Sequence, residues 1–293
     1  MPHSSIVHDL RSAHSADALL TGAPLPTLLY FALPIILGNI FQQLYSIVDA
    51  IVVGNFLGDL PLSGISVASP IVDVANALVI GGTIGVGVLC AHYCGAGEGE
   101  RLRCMNATAL LGGGALTLLI ALCGIFFSTP LLRAQGTEEA VCREAAVYLQ
   151  LVFAGLLFCF LYNYYAAMLR SCGNSRTPFL ILLLSSTLHA LLDVLFVGVF
   201  GWGIRGVAFS TVLCQALAAA ACILYAQRRC PPLLLRPANL RFDRQMARLV
   251  LSYAWAAALQ QAVVCIGRLL VQGMLTPLGT STVTGYNMSL RTE

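Results

Sequence analysis

The sequence predicts an all-α integral membrane protein: a six-helix transmembrane bundle followed by the first helix or two of a second, pseudo-symmetric lobe. Three observations lead there. Of the 293 residues, 58% are hydrophobic and only 10% are charged, with a mean hydropathy of +0.83. A soluble domain carries about a quarter charged residues, so this chain lacks the polar side chains to cover a water-facing surface, and lipid is the solvent left for its apolar area. The apolar residues also fall into long runs, and the longest polar connection after the N-terminal tail follows the sixth of them.

A helix needs ~20 mostly apolar residues to cross a bilayer. Seven stretches meet that length: 28–53, 62–89, 105–127, 146–169, 178–200, 204–226 and 249–276, and an eighth begins near Ser281. They are too long, and too rich in Leu and Ala, for the short alternating segments of a barrel. Glycines within them (Gly38, Gly81, Gly82, Gly85, Gly87 and 112–114) allow helices to approach closely in lipid. Pro34 loosens the backbone one or two turns into the first run.

Residues 1–26 hold His3, His8, Asp9, Arg11, His14 and Asp17 without a continuous apolar core, which is not the make-up of a signal peptide. They read as a cytoplasmic tail. All 16 basic residues are arginine, and no segment supplies the basic face that nucleic acid requires. The tail and the even-numbered loops carry eleven arginines, against three (Arg133, Arg143 and Arg205) in the alternate loops. By the positive-inside rule the N-terminus lies inside a multi-pass plasma-membrane protein, with the loops near Asp59, Glu138 and Gly201 outside.

Residues 227–248, with Pro231, Pro232, Pro237 and six arginines, read as a cytoplasmic linker between two bundles. Residues 27–226 are then one lobe and 249–293 the start of another. Residues 241–248 suit a basic amphipathic turn along the membrane surface. A faint repeat supports two related bundles: Gln42–Gln43 in the first run is echoed by Gln260–Gln261 in the seventh.

The 11 cysteines show no CxxC spacing, and on this topology only Cys142 lies in an outward loop, so no disulfide framework is expected. Cys90, His92 and Cys94 form a run of metal-capable side chains at a helix end. Such a run arises easily by chance, and neither a metal nor a cofactor is expected.

Acids inside membrane helices cost ~2.5–3.5 kcal/mol at the helix centre and generally face a cavity or a partner. Asp49 in the first run follows Tyr45 by four residues and Gln42 by seven, and Asp193 in the fifth follows His189 by four and Ser186 by seven. Each set shares one helical face. Thr211 and Gln215 in the sixth run are four apart. Three polar stripes in apolar walls fit helices turned toward one wet cavity, the alternative being a hydrogen-bonded network that only ties helices together. Asn76, Asn163, Asp73, Gln260 and Arg268 join Gln42 and Gln215 as candidate cavity-lining groups. Asp73 fits equally a cap on a break after Pro70. Two carboxylates in one pocket titrate as a coupled pair, and His189 adds a group that changes charge near neutral pH. Such a cluster can carry a proton, or its oxygens can hold Na⁺.

On these residues the chain resembles the multidrug and toxic compound extrusion family in its bacterial branch. The segments that carry the likeness are LPIILGNIFQQLYSIVDAIVVGNFLG (33–58), SPIVDVANALVIGGTIGVG (69–87), GAGEGE (95–100), AMLRSCGNSRTPF (167–179) and LLDVLFVGVFGWGIRGVAFST (191–211). The resemblance implies two six-helix lobes that exchange cationic or amphiphilic drugs outward against Na⁺ or H⁺. It implies that Asp49 is the amino-lobe acid of the first helix, Tyr45 its hydrogen-bonding tyrosine, and Asp193 and Thr211 the acid and threonine of helices five and six. His189 stands where many relatives carry asparagine. An imidazole is a poorer Na⁺ ligand than an amide oxygen, which favours H⁺ at this lobe. The chain stops at the start of the eighth helix, which implies a fragment of a longer protein or a truncated product.

The expected function is therefore secondary antiport of small-molecule drugs or metabolites across the bilayer. A lipid-linked precursor flippase of the same superfamily would need a cationic groove, and the first six runs offer essentially no mid-membrane arginine. An embedded enzyme would need paired-acid, Ser–His or HExxH arrangements, none of which is evident. A seven-helix receptor would place the N-terminus outside.

Overall fold

The computed structural model describes residues 24–230, 233 and 242–275, apart from the side chains of residues 24, 43–53, 59, 269–270, 272–273 and 275. Among these residues there is no strand, and seven helices are long and apolar enough to cross a membrane. They are α1 (Pro24–Leu57), α2 (Asp59–Ala96), α3 (Gly99–Ala134), α4 (Glu139–Ser171), α5 (Arg176–Asp193), α6 (Ile204–Arg229) and α7 (Arg244–Leu275). The protein is thus an all-helical, multi-pass membrane protein. The expected tail up to residue 23, most of the connection between α6 and α7, and the eighth run lie outside the described residues.

The helices outrun their apolar cores. α2 has 38 residues, about 57 Å at 1.5 Å per residue, against a hydrocarbon thickness of about 30 Å. Their ends carry the charges: Arg101 pairs with Glu98, and Arg133 with Glu139, each at 2.9 Å on the surface. Between the ends, large apolar side chains point away from the bundle, as with Phe126, Leu184 and Met274, each at least 70% exposed. This is the pattern of a protein whose outer solvent is lipid. Cys142, placed by the sequence in a loop, instead begins the buried face of α4.

α4 is the centre of the bundle, packed against α2, α3 and α6, with Tyr164 and Leu156 fully buried. Its apolar face is supplemented by a polar clamp. Tyr164 donates its hydroxyl to Asn106 Oδ1 of α3 at 2.6 Å, and Asn106 Nδ2 donates to the carbonyl of Leu233 at 3.1 Å. The connection between α6 and α7 is thereby tied into the bundle at a buried point. The described part of the basic segment expected over 241–248 is not a separate surface turn: Asp243 Oδ1 accepts from the backbone N–H groups of Gln245 and Met246, at 2.7 and 2.8 Å. That is an N-cap, so Arg244 and Arg248 are the opening turns of α7 itself.

α7 does not stand apart from the first six helices. It packs along α2, and glycine makes the approach possible. A Cβ on Gly81 would lie 2.5 Å from the Ala258 Cα, and one on Gly85 would overlap the carbonyl oxygen of Tyr253. In lipid, where burial of apolar surface gives no driving force between helices, such backbone proximity supplies the packing energy.

Gly85→Val is expected to cost about 1–3 kcal/mol through overpacking, read as a lower unfolding temperature in detergent. Gly82→Ala, with nothing within 4 Å of its new methyl group, serves as the neutral control. Asn106→Leu removes the donor to the Leu233 carbonyl, though Tyr164 keeps a bond to the Asn106 main-chain oxygen at 3.0 Å. The same measurement should register a loss of about 1–3 kcal/mol.

Candidate functional site

α5 ends at Asp193 and continues as a π-helix over Val194–Val199. The wider turn interrupts the single run expected over 178–200, and such bulges often accompany functional sites. It leads through a cluster in which Phe196 stacks on Trp202 at 4.9 Å, and the chain reverses into α6. The reversal brings Ser210 and Thr211 of α6 against the last turn of α5.

There the polar groups close on one another. Asp193 is fully buried and His189 is 6% exposed. Ser210 Oγ donates to Asp193 Oδ1. His189 Nδ1 lies 3.2 Å from Asp193 Oδ2, an ion-pair distance that follows from their i, i+4 spacing. On the far side of the ring, His189 Nε2 and Thr211 Oγ1 share a hydrogen bond of 2.9 Å. Thr211 Oγ1 also lies 2.8 Å from the carbonyl of Val207.

This arrangement can change its proton count without breaking. With Nδ1 carrying the ring proton toward Asp193, Nε2 accepts from the Thr211 hydroxyl. With a second proton on the ring, Nε2 donates to Thr211 Oγ1, whose own hydroxyl turns to the Val207 carbonyl. A threonine both accepts and donates, so both states keep the hydrogen bond at Nε2.

The cluster adjoins a chamber of about 570 Å³ between α1, α2, α4, α5 and α6. His189, Thr211, Gln42, Asn76, Asn163, Gln215 and Ser186 line it. Asp193 does not: its carboxylate sits behind the imidazole, so His189 and Thr211 are its connection to the chamber. The polar stripe on α5 therefore has two exposures, Ser186 and His189 toward the chamber and Asp193 into the α5–α6 contact.

Other candidates fall elsewhere. Asp49 and Tyr45 lie in α1, but their side chains are outside the described residues. Asp73 on α2 is exposed and lies near enough to Arg268 on α7 to feel its charge, while Gln260 is exposed on α7. None of the three borders the chamber. Conversely, the chamber takes in Arg170, Tyr162, Asn39 and Ser185, which sequence reasoning passed over. Arg170 was counted with the loop arginines, yet it lies in the last turn of α4 with its side chain turned to the chamber. Ser210 was missed because only the Thr211–Gln215 spacing was followed on α6. Among the described residues one group of thiols, Cys90, Cys94 and Cys172, has the spacing of a metal site, and it stands apart from the chamber.

The comparisons with known proteins agree with this architecture. The family model MatE matches residues 34–195. The chain is 29% identical over 265 residues to the "Probable multidrug resistance protein YoeA" of Bacillus subtilis, covering 88% of this chain and 57% of that protein. To the "Probable multidrug resistance protein YpnP" of the same organism it is 30% identical over 274 residues, covering 93% and 61%. The chain thus spans about three fifths of the length of these curated relatives. Among solved structures, a MATE in complex with MaL6 superposes with a TM-score of 0.86 at 21% identity, covering 94% of this chain and 62% of the other. A MOP superfamily transporter from Pyrococcus furiosus gives 0.85 at 21% identity, covering 94% and 61%. With more than half of its residues matched by the family model, the chain belongs to the MatE family, the multidrug and toxic compound extrusion transporters.

Proposed function

We propose that this chain forms the amino-terminal lobe, residues 27–226, and the beginning of the second lobe, residues 249–293, of a secondary antiporter. It exports cationic or amphiphilic compounds across the plasma membrane in exchange for a cation, H⁺ in preference to Na⁺. Its N-terminus and the linker over residues 227–248 lie on the cytoplasmic side, and it works without a cofactor or nucleic acid. The observation that carries the reading is the buried His189–Asp193 pair, which among the described residues meets the chamber through His189 and its neighbour Thr211. In this reading the pair takes up and releases the coupling proton, and Asp49 with Tyr45 forms the second part of the coupling network on α1. The amide-lined chamber holds the transported compound.

Support for H⁺ comes from the ligand set. Na⁺ wants several oxygen ligands, whereas the group that separates Asp193 from the chamber here is an imidazole, and Ser210 already donates to the carboxylate. In proteoliposomes holding the full-length transporter, Asp193→Asn and Asp49→Asn should each abolish efflux of a cationic dye driven by a pH gradient, with insertion intact. Wild-type efflux from Asp193→Asn would overturn the coupling role. His189→Asn replaces the proton-binding ring with an amide, and efflux should then respond to a Na⁺ gradient.

One observation favours a second reading. Arg170 turns its guanidinium toward the chamber from the end of α4, a feature that suits an anionic headgroup and so a lipid-linked precursor flippase. Arg170→Gln separates the two: cation export should be unimpaired in an antiporter of cations, whereas translocation of an anionic lipid would be lost.

A further inference from the structure

Cys90 and Cys94 are four residues apart near the end of α2, and i, i+4 neighbours lie on one helical face. Cys172 is the first residue beyond α4, before a turn at Gly173 with φ of 86°. α2 and α4 are drawn together at this level. Ser171 Oγ donates to the carbonyl of Gly87 at 2.7 Å, and a Cβ on Gly87 would lie 3.3 Å from that oxygen. The three Sγ atoms consequently lie within 4.8 Å of one another, with Cys94 and Cys172 at 3.2 Å. Cys90 is fully buried, whereas Cys94 and Cys172 are half-buried, so the group is closed on one side and open on the other. His92 is not part of it: its ring is exposed and lies against Tyr93.

We propose that Cys90, Cys94 and Cys172 form a site for a thiophilic divalent cation of the zinc type, independent of the transport chamber. Three sulfurs bound to one ion at about 2.3 Å stand about 4 Å apart, a spacing the thiols reach with small shifts. Sulfur ligands select soft ions over Mg²⁺ and Ca²⁺, which take oxygen. Charge selects the divalent state: three thiolates around a divalent ion leave one net negative charge, around a monovalent ion two, and buried excess charge is costly. A water on the open side completes the tetrahedron. Binding converts three thiols and M²⁺ into M(SR)₃⁻ with release of three protons, with no change of oxidation state. It fastens the end of α2 to the turn between α4 and α5.

The test uses Cd²⁺ as a spectroscopic stand-in, titrated into the protein in detergent after removal of reductant under inert gas. Expected is one tight equivalent, with thiolate-to-metal absorption of three thiolates and release of three protons. Cys94→Ser and Cys172→Ser should each weaken this component by roughly 100-fold or more. A control lacking three thiols elsewhere, Cys104→Ser with Cys123→Ser and Cys265→Ser, should leave it unchanged. Zn²⁺ should compete for the site and raise the unfolding temperature of the wild type but not of Cys172→Ser. Cys94 and Cys172 are chosen because neither is fully buried, so both variants should fold, as a gel-filtration profile will register. Unchanged Cd²⁺ binding in both variants would overturn the site, and so would isolation of the protein with a Cys94–Cys172 disulfide and no tight equivalent.

Discussion

A carboxylate inside a bundle that lipid surrounds has to be held by the protein itself, and the way Asp193 is held organises one whole side of this molecule. Its partners come from two helices: His189 from one turn back on α5 and Ser210 from α6. That requires α5 and α6 to stay in register over their last and first turns. The π-helix after Asp193 and the stacked Phe196–Trp202 pair set how the chain turns between them. Lower down, Ser185 Oγ donates to the Cys214 carbonyl at 3.1 Å and keeps the same two helices together. Removal of any one partner would leave a polar group in a place water does not supply, and that cost is what makes the local geometry specific.

The same constraint separates two kinds of chemistry. Apart from Arg170 and His189, the polar groups that line the chamber are neutral amides, hydroxyls and thiols (Asn39, Gln42, Asn76, Asn163 and Gln215 among them), set among apolar side chains. The acid is withheld from it by an imidazole. His189 and Thr211 face the chamber, and Asp193 is linked to that face through its contact with the ring.

The existence and order of the seven helices were legible in the sequence because each is a long apolar run, and lipid leaves few alternatives to a helix. The shared face of His189 and Asp193 was legible for the same reason that any i, i+4 pair is. What periodicity could not supply was the third dimension. Ser210 lies one residue from Thr211, about 100° around the helix, and only the closeness of α5 and α6 brings both to the same histidine. Cys172 lies 78 residues from Cys94, and the small side of Gly87 that lets their helices touch carries no mark in a linear pattern. The contact of α7 with α2 was hidden likewise: Gly81 and Gly85 were recognised as permissive, but not for which neighbour. Arg170 could be placed by its loop in the sequence, but not as a chamber-lining group, because a count of arginines by loop does not show what a side chain at a helix end borders.

α1 forms one wall of the chamber through Pro34, Gly38, Asn39 and Gln42, yet its opposite face is bare, with Leu29, Tyr30, Leu33, Ile36 and Ile40 each at least half exposed. Its described half is held chiefly against α5: Ser175 Oγ donates to the Phe31 carbonyl at 2.9 Å, Arg176 lies over the Tyr30 ring at 4.6 Å, and Phe41 meets Phe179. Pro34 lacks the N–H that would bond to residue 30, so the helix is short of one of its own bonds between the contacts at Tyr30 and Phe31 and the contact at Phe41. A helix with one face bare and one backbone bond missing at a proline has fewer side-chain ties to the bundle, among the described residues, than the α5–α6 contact has. The α5–α6 side is tied at two levels, by the Asp193 cluster and by Ser185.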